Sequence, residues 1–421
     1  MKIVILNTNE SSGGAAIAAG RLMKALIDYR VDVKMLVLNK HSNDENVIST
    51  QSSFLKRQLA RLNFLWERWV IFIHNRLNRN DLFKISIANT GFDISLHPSI
   101  KEADIIHLHW INQGFISLRN LKSLIDSGKP VVWTMHDMWP CTGICHYTGE
   151  CERFTKACGQ CFFLQSKKTK DLSHQIFIQK KKFIFSNNNI TFVGCSQWLA
   201  DMAKISGLSK NHRITSIPNP IDTTAFKVLD KVSSREKFNL PIDKKILLFG
   251  AVNVTDKRKG IDYLLDALNK IVSRQLHAEI CVVVFGQVKA GFIDSMKIPV
   301  YSMGYVRNQD DIVTLYNAVG LYVTPSMEDN LPNTIMEAMA CGVPCVGFHT
   351  GGIPEMIDHK QNGYVAAYKN STDLADGIQW VLHVADYGEL SNNASKKVES
   401  NYSEAIVANQ YIKLYNKLLQ H

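Results

Sequence analysis

The 421-residue chain is longer than one hydrophobic core usually organises, so two domains are expected, each able to bury a substantial interior. Its 48 basic and 38 acidic residues leave a formal charge of +10, which would suit phosphorylated substrates, an anionic membrane face or nucleic acid. No stretch reaches about eighteen uninterrupted apolar residues, which argues against a membrane-spanning protein, and no helix-turn-helix, zinc-finger or RNA-recognition signature accompanies the charge, which argues against a nucleic-acid binder.

The N-terminal Met1-Lys2-Ile3-Val4-Ile5-Leu6-Asn7 runs straight into a strand rather than a signal peptide. A cytoplasmic location is therefore expected, extending to the inner face of the cell membrane. A first series of apolar runs reads as strands: Lys2 to Asn9, Val31 to Asn39, Ala103 to Trp110, Val131 to Asp137, Ile190 to Ser196 and Ile214 to Asn219. Between the first of these and a helical run from Ile17 to Asp28 lie Gly13 and Gly14, which let a phosphate or sugar approach backbone amides; the same pair could also be only a tight turn. Phe54 to Ile73 mixes arginines and a lysine with leucines and tryptophans as interfacial helices do, and Lys167, Lys168, Lys170 and Lys180 to Lys182 add charge suited to anionic headgroups. Helices packed on the domain surface would look much the same.

His107 and His109 bracket Leu108 and so face one side of a strand end, while His136 ends the strand that begins at Val131. Five of the nine cysteines fall between residues 141 and 161. In a reducing compartment such clustering favours metal over disulfides. Cys158 and Cys161 have zinc-knuckle spacing, and Cys145 and Cys151 complete four sulfurs for a structural zinc; free thiols in an ordinary insertion are the alternative.

Two prolines in Ile217-Pro218-Asn219-Pro220-Ile221-Asp222 punctuate the chain and place the domain division near residue 222. The first domain is thus read as 1–222, with a cysteine-rich insertion at 141–161, and the second as 223–403. A second series of strands follows: Lys244 to Val252, Ala278 to Gln287, Val300 to Val306, Leu321 to Pro325 and Val343 to Phe348. Alternation of strands with helical patterns in both halves predicts βαβ units and mostly parallel sheets, an α/β class with two doubly wound domains. Residues 404–421 read as one amphipathic helix.

The densest signal is Pro325-Ser326-Met327-Glu328-Asp329-Asn330-Leu331-Pro332 followed by a helical run from Asn333 to Cys341, and then Thr350-Gly351-Gly352-Ile353-Pro354-Glu355. Seven residues separate Asp329 in the loop from Glu337 in the helix. Two glycines ahead of Pro354 offer exposed amides to a phosphate. Upstream, Gly250 to Gly260 carries Lys257-Arg258-Lys259 between a strand and a helix.

These motifs resemble the donor-binding signature of retaining glycosyltransferase family 4, of the bacterial polysaccharide type, and the resemblance covers nearly the whole chain. It implies the GT-B architecture, two Rossmann-like domains facing across a cleft, with a terminal helix that crosses back to the first domain. It implies transfer of a hexosyl unit from a nucleotide diphosphate sugar to a hydroxyl of a growing, lipid-linked glycan, without an obligatory cofactor. Glu337 would hold the ribose hydroxyls and Asp329 the donor sugar, flanked by Asn330 and Leu331. Lys259 and Arg258 would neutralise the diphosphate, with Gly351 and Gly352 beside it. Tyr305 and Val306 would flank the base, His136 would reach the sugar near its anomeric carbon, and the loop of Gly13 and Gly14 would face the donor. The chain departs from the family pattern in having Asp329 where Glu is usual, and Ala251 to Asn253 where an arginine is usual, so that Glu328 competes for the first role and Arg258 supplies the charge from another direction. A sugar-nucleotide epimerase of the same fold and a catalytically degenerate sugar-nucleotide-binding scaffold are the alternative readings.

Overall fold

The computed structural model describes residues 1–254, 256–275, 277–288 and 296–420. Thr255, inside the expected basic loop, lies outside the described residues. The chain divides into two compact units, one formed by Met1–Pro220 with Val407–His421 and the other by Ile221–Ile406.

The first unit is built on seven strands, β1 (Lys2–Asn9), β2 (Asp32–Asn39), β3 (Val47–Ser49), β4 (Ile105–Leu108), β5 (Val131–Met135), β6 (Ile190–Gly194) and β7 (Arg213–Ser216). They pair in the order β3-β2-β1-β4-β5-β6-β7, every described pairing parallel. A parallel sheet is covered on both faces, which is why these strands read as continuous apolar runs rather than alternating ones. One face packs on a core containing Leu6, Leu108, Trp133 and Phe192. The other packs on Ile5, Met35, Val132, helix Gly14–Asp28 and the C-terminal helix, whose Tyr411 and Tyr415 are fully buried there.

The second unit has six strands, β8 (Lys245–Asn253), β9 (Ile280–Gln287), β10 (Val300–Gly304), β11 (Leu321–Thr324), β12 (Cys345–Phe348) and β13 (Gly363–Ala366), in the order β10-β9-β8-β11-β12-β13, again all parallel. Sequence order reverses at β1/β4 in one unit and at β8/β11 in the other, and ligands of open α/β sheets collect outside the carboxyl ends of the strands at such switch points. The short edge strands β3 and β13 were not expected from the sequence: three or four residues carry too little periodicity to stand out. The remaining strands deviate from their expected bounds only at the ends.

Candidate functional site

In the second unit, the loops after β8 and β11 are knitted together by backbone. Gly260, at φ +71°, places its Cα so close to the Pro325 carbonyl that a Cβ would lie 1.7 Å from the oxygen, so only glycine fits. The Met327 amide donates to the Arg258 carbonyl at 2.8 Å, and the Arg258 guanidinium returns a 2.9 Å bond to the Glu328 carbonyl. A third loop closes the set: the Gly352 amide donates to the Asn330 carbonyl at 2.8 Å, and a Cβ on Gly351 (φ +55°) would lie 1.7 Å from the Asp329 carbonyl oxygen.

Inside this clasp Lys259 Nζ contacts Asp329 Oδ2 at 2.6 Å, and Ser326 Oγ donates to the same oxygen at 3.2 Å. Burial alone would push the Asp329 carboxyl upward, but Lys259, Arg258 and these hydrogen bonds outweigh it and hold the group below the ordinary aspartate range. Glu337 occupies the second turn of helix Asn333–Ala340; it is nearly buried, and Tyr316 donates to its Oε2 at 3.2 Å. Tyr316 in turn has its own pKa driven well up by burial and by the Glu337 charge, so it remains a donor. Asn330 and Leu331 are buried in the same loop. Pro354 is the second residue of a single-turn helix, Ile353–Met356, rather than its first.

A cavity of about 490 Å³ opens at the carboxyl ends of β8, β9 and β10, lined by Asn253, Gly286, Gln287, Val288, Ser302, Gly304 and Tyr305. Tyr305 is exposed beside it, whereas Val306 is half-buried and absent from the lining.

The first unit holds Gly13, Gly14 and His136. Gly13 stands at φ +90° ahead of helix Gly14–Asp28, with open space where a Cβ would project. His136 follows β5, and its Nε2 lies 2.9 Å from His109 Nδ1; its Nδ1 lies 3.5 Å from Cys195 Sγ. His107 stacks next to His109 and is fixed by Thr134 Oγ1 at 2.7 Å and by the Tyr415 hydroxyl at 2.7 Å, while Thr134 also meets the Tyr411 hydroxyl at 2.8 Å. Asp137 accepts from Trp110 Nε1 and the Trp139 amide and pairs with His146 Nδ1 at 2.7 Å. The sequence pointed to the three histidines; Cys195, Tyr411 and Tyr415 were missed, because they come from distant elements that no local spacing connects.

Burial pushes His107 down to about 3 and His136 to about 4, and His109 well below the ordinary range, with neighbouring histidines adding to the effect on His107 and His109 and Asp137 opposing it on His136. These rings stay neutral when folded and take up protons on unfolding, so stability rises with pH through the interval between the folded and unfolded values. Acidification below about pH 6.5 should therefore destabilise the fold progressively. Calorimetry should show the unfolding midpoint dropping steadily across that range; a flat midpoint down to about pH 4.5 would contradict it.

Cys145 and Cys161 are buried and Cys151 and Cys158 half-buried in the loop after β5. Cys145 is pushed far up by burial and by its three neighbours, Cys158 to about 12 and Cys161 to about 11. The Gly143 amide donates to Cys158 Sγ at 3.2 Å, and the fully buried Lys180, which donates to the Trp139 and Thr142 carbonyls, stands close enough to these sulfurs to feel their charge. Among the described residues no three His, Cys, Asp or Glu side chains gather at metal-holding distance.

Two doubly wound parallel units, with a paired Lys259–Asp329 and a buried Glu337 at the switch point of one of them, define a GT-B sugar-transferring enzyme. A family model described as Glycosyltransferase Family 4 matches residues 12–225, and one described as Glycosyl transferases group 1 matches residues 243–383. The chain belongs to glycosyltransferase family 4. It is similar to an uncharacterized glycosyltransferase of Methanocaldococcus jannaschii, with 24% identity covering 96% of this chain and 94% of the relative. It is also similar to WcaC of Escherichia coli, named as a colanic acid biosynthesis glycosyl transferase, with 25% identity covering 81% and 80%. Among solved structures, Anabaena HepE in complex with UDP and glucose shares the fold at TM-score 0.64 and 17% identity over 99% of both chains.

Proposed function

We propose that this enzyme moves a hexosyl unit from a nucleoside diphosphate sugar to a hydroxyl of a growing, lipid-linked bacterial polysaccharide, with retention at the anomeric carbon and at an anionic membrane face. The observation that carries this reading is the clasp of three loops around Lys259 and Asp329. It brings the Lys259 ammonium and the Arg258 guanidinium together on the carboxyl side of the sheet, beside the close-packed backbone at Gly351, and two such cations suit a diphosphate. The names of the relatives, one in colanic acid biosynthesis and one solved with UDP and glucose, agree with it.

In this reading Glu337 accepts the two ribose hydroxyls, Asp329 and its neighbours Asn330 and Leu331 hold the sugar, and Tyr305 and Val306 flank the base. The bond from the anomeric carbon to the diphosphate oxygen breaks as the acceptor oxygen bonds to the same face. The departing phosphate takes the acceptor's proton, and Lys259 and Arg258 stabilise the charge that develops on it. His136 meets the sugar with a neutral ring rather than as a charged group, exchanging its 3.5 Å contact with Cys195 Sγ for a sugar hydroxyl, and Gly13 and Gly14 let the donor approach the backbone. No metal or cofactor is assigned to the transfer. The test is donor consumption by purified protein across a panel of nucleotide sugars. Release of nucleoside diphosphate from one of them supports the reading; neither binding nor release from any would overturn it.

For the cysteine loop the proposal is a structural zinc on Cys145, Cys151, Cys158 and Cys161. Four soft donors lie in one loop, a backbone amide already points at Cys158, and the buried Lys180 amine, lowered to about 7 by burial, stands beside them. Coordination needs side-chain rotamers other than those seen, since the sulfurs do not yet converge. Elemental analysis of the purified protein should find about one zinc per chain, lost on Cys158→Ser with Cys161→Ser; a metal-free, stable protein would refute it.

A further inference from the structure

Helix Phe54–His74 is turned inside out. Its face toward the protein carries Asn63, Glu67 and Arg68 beside Ala60 and Ile71, while its outer face carries Leu55, Leu59, Leu62, Trp66, Trp69 and Ile73, each between 44% and 77% exposed. Spacings of four, three, four, three and four residues put these six side chains on one stripe. The helix, about 30 Å long by its 1.5 Å rise per residue, therefore presents an apolar ridge along its whole length.

Ile71 and Ala60 pack into the core, and the rest of what holds the helix in this orientation is polar. Glu67 Oε1 accepts from the Ile87 and Ala88 amides at 2.8 and 2.9 Å. Arg68 donates to the Ile85 carbonyl at 3.0 Å and to the Leu82 carbonyl, and pairs with Glu67 at 3.0 Å. Thr90 Oγ1 donates to Asn63 Oδ1 at 2.5 Å. Rotating the helix to bury its leucines would strand this buried charge pair, so the exposed stripe is fixed by the fold rather than left over from it.

Charge then selects what the ridge meets. Lys56, Arg57 and Arg61 flank the stripe, and Arg76 and Arg79 follow just beyond it, all exposed. Between residues 54 and 84 the only acids are Glu67, which is buried against Arg68, and Asp81, which is paired with Lys84 at 2.9 Å. Trp66 and Trp69 lie tilted against each other at 5.0 Å between ring centroids, and a groove of about 570 Å³ opens beside them against Thr90. An apolar ridge with paired indoles and a cationic margin is complementary to the interfacial zone of a bilayer rich in anionic headgroups. We propose that helix Phe54–His74 is the membrane-docking element of the protein, lying in the plane of an anionic bilayer with Leu62, Trp66 and Trp69 inserted among the acyl chains. This deepens the membrane contact in the proposed function and rests on it, but it is independent of the donor chemistry.

The test uses the full chain and vesicles of phosphatidylcholine alone or with about one third phosphatidylglycerol. Co-sedimentation should be strong with the anionic vesicles at low salt, weaker in high salt, and slight with phosphatidylcholine alone. Leu62→Ser with Trp66→Ser and Trp69→Ser should lower vesicle binding more than about tenfold. Because these side chains are solvent-exposed, the variant should keep its unfolding midpoint and its release of nucleoside diphosphate from the donor. No binding of the parent protein to anionic vesicles, or undiminished binding of the variant, overturns the proposal. So does sedimentation showing that the parent protein self-associates and the variant is monomeric, which would give the ridge to a second copy of the chain. Absence of donor turnover in both proteins, with vesicle binding strong in the parent and weak in the variant, would count against the transfer reading alone.

Discussion

Replacing Glu337 with glutamine is expected to reduce kcat/KM for the nucleotide sugar by about two to three orders of magnitude, mostly through KM, while leaving the fold intact. Glu337 is nearly enclosed at the base of the loop that follows β11, and its oxygens are acceptors only. One of them already meets the Tyr316 hydroxyl at 3.2 Å, which orients the carboxylate. Two hydrogen bonds from vicinal hydroxyls to a carboxylate are each worth about 1.5–3 kcal/mol, more than neutral ones. Glutamine offers one acceptor oxygen and an NH₂ group that cannot accept, so it loses at least one of the pair and presents a donor to a hydroxyl proton. Volume is preserved, so no cavity opens in the packed helix. Tyr316→Phe provides the comparison: it removes the orienting bond without touching the carboxylate, and should cost about tenfold. Steady-state kinetics and a thermal midpoint on both variants decide the matter. Unchanged kinetics for Glu337→Gln would mean that the carboxylate does not hold the donor.

The sequence exposed what is local and hid what is not. The strands were legible because a parallel sheet covered on both faces is written as unbroken runs of Val, Ile and Leu; β1 matches its expected bounds, and the C-terminal helix begins at the expected Glu404. The two carboxylates of the second unit were legible because one loop and one helix hold both. The roles of Arg258 and of Gly260 and Gly351 were only half visible: the first bonds a carbonyl seventy residues away, and the glycines are needed because backbone from another loop lies 1.7 Å from where a Cβ would be. Tyr316, Cys195, Tyr411 and Tyr415 meet the candidate residues across still greater or unpatterned separations. The helix Phe54–His74 shows the converse. Its composition suggested an interface, but periodicity finds a stripe without saying which way it faces, and the buried Glu67–Arg68 pair, with Asn63 and Ile71 beside it, turns it outward.

The Lys259–Asp329 pair offers a sharper separation of stability from function. Both side chains are largely enclosed, 23% and 12% exposed, and the Asp329 carboxyl is held below its ordinary value, so the pair persists at any pH above about 4 and its contribution is lost only as pH falls through the lowered folded value. Lys259→Met leaves an ionised carboxylate without its partner in a confined site, which typically costs about 3 kcal/mol. Asp329→Leu strands the ammonium in the same way. The double variant removes both charges and should regain most of the lost stability, because a well-packed apolar pair often replaces a buried ion pair at little net cost. Activity should follow the opposite logic. If Lys259 neutralises the leaving diphosphate, removing it costs about a thousandfold or more in turnover, and Asp329→Leu cannot restore a charge that the reaction itself requires. Denaturant unfolding of the four proteins, read beside nucleoside diphosphate release, therefore gives a non-additive cycle in stability and a dead double variant in catalysis. Recovery of turnover together with stability would reduce the pair to a structural clasp and move the diphosphate contact elsewhere on the loop.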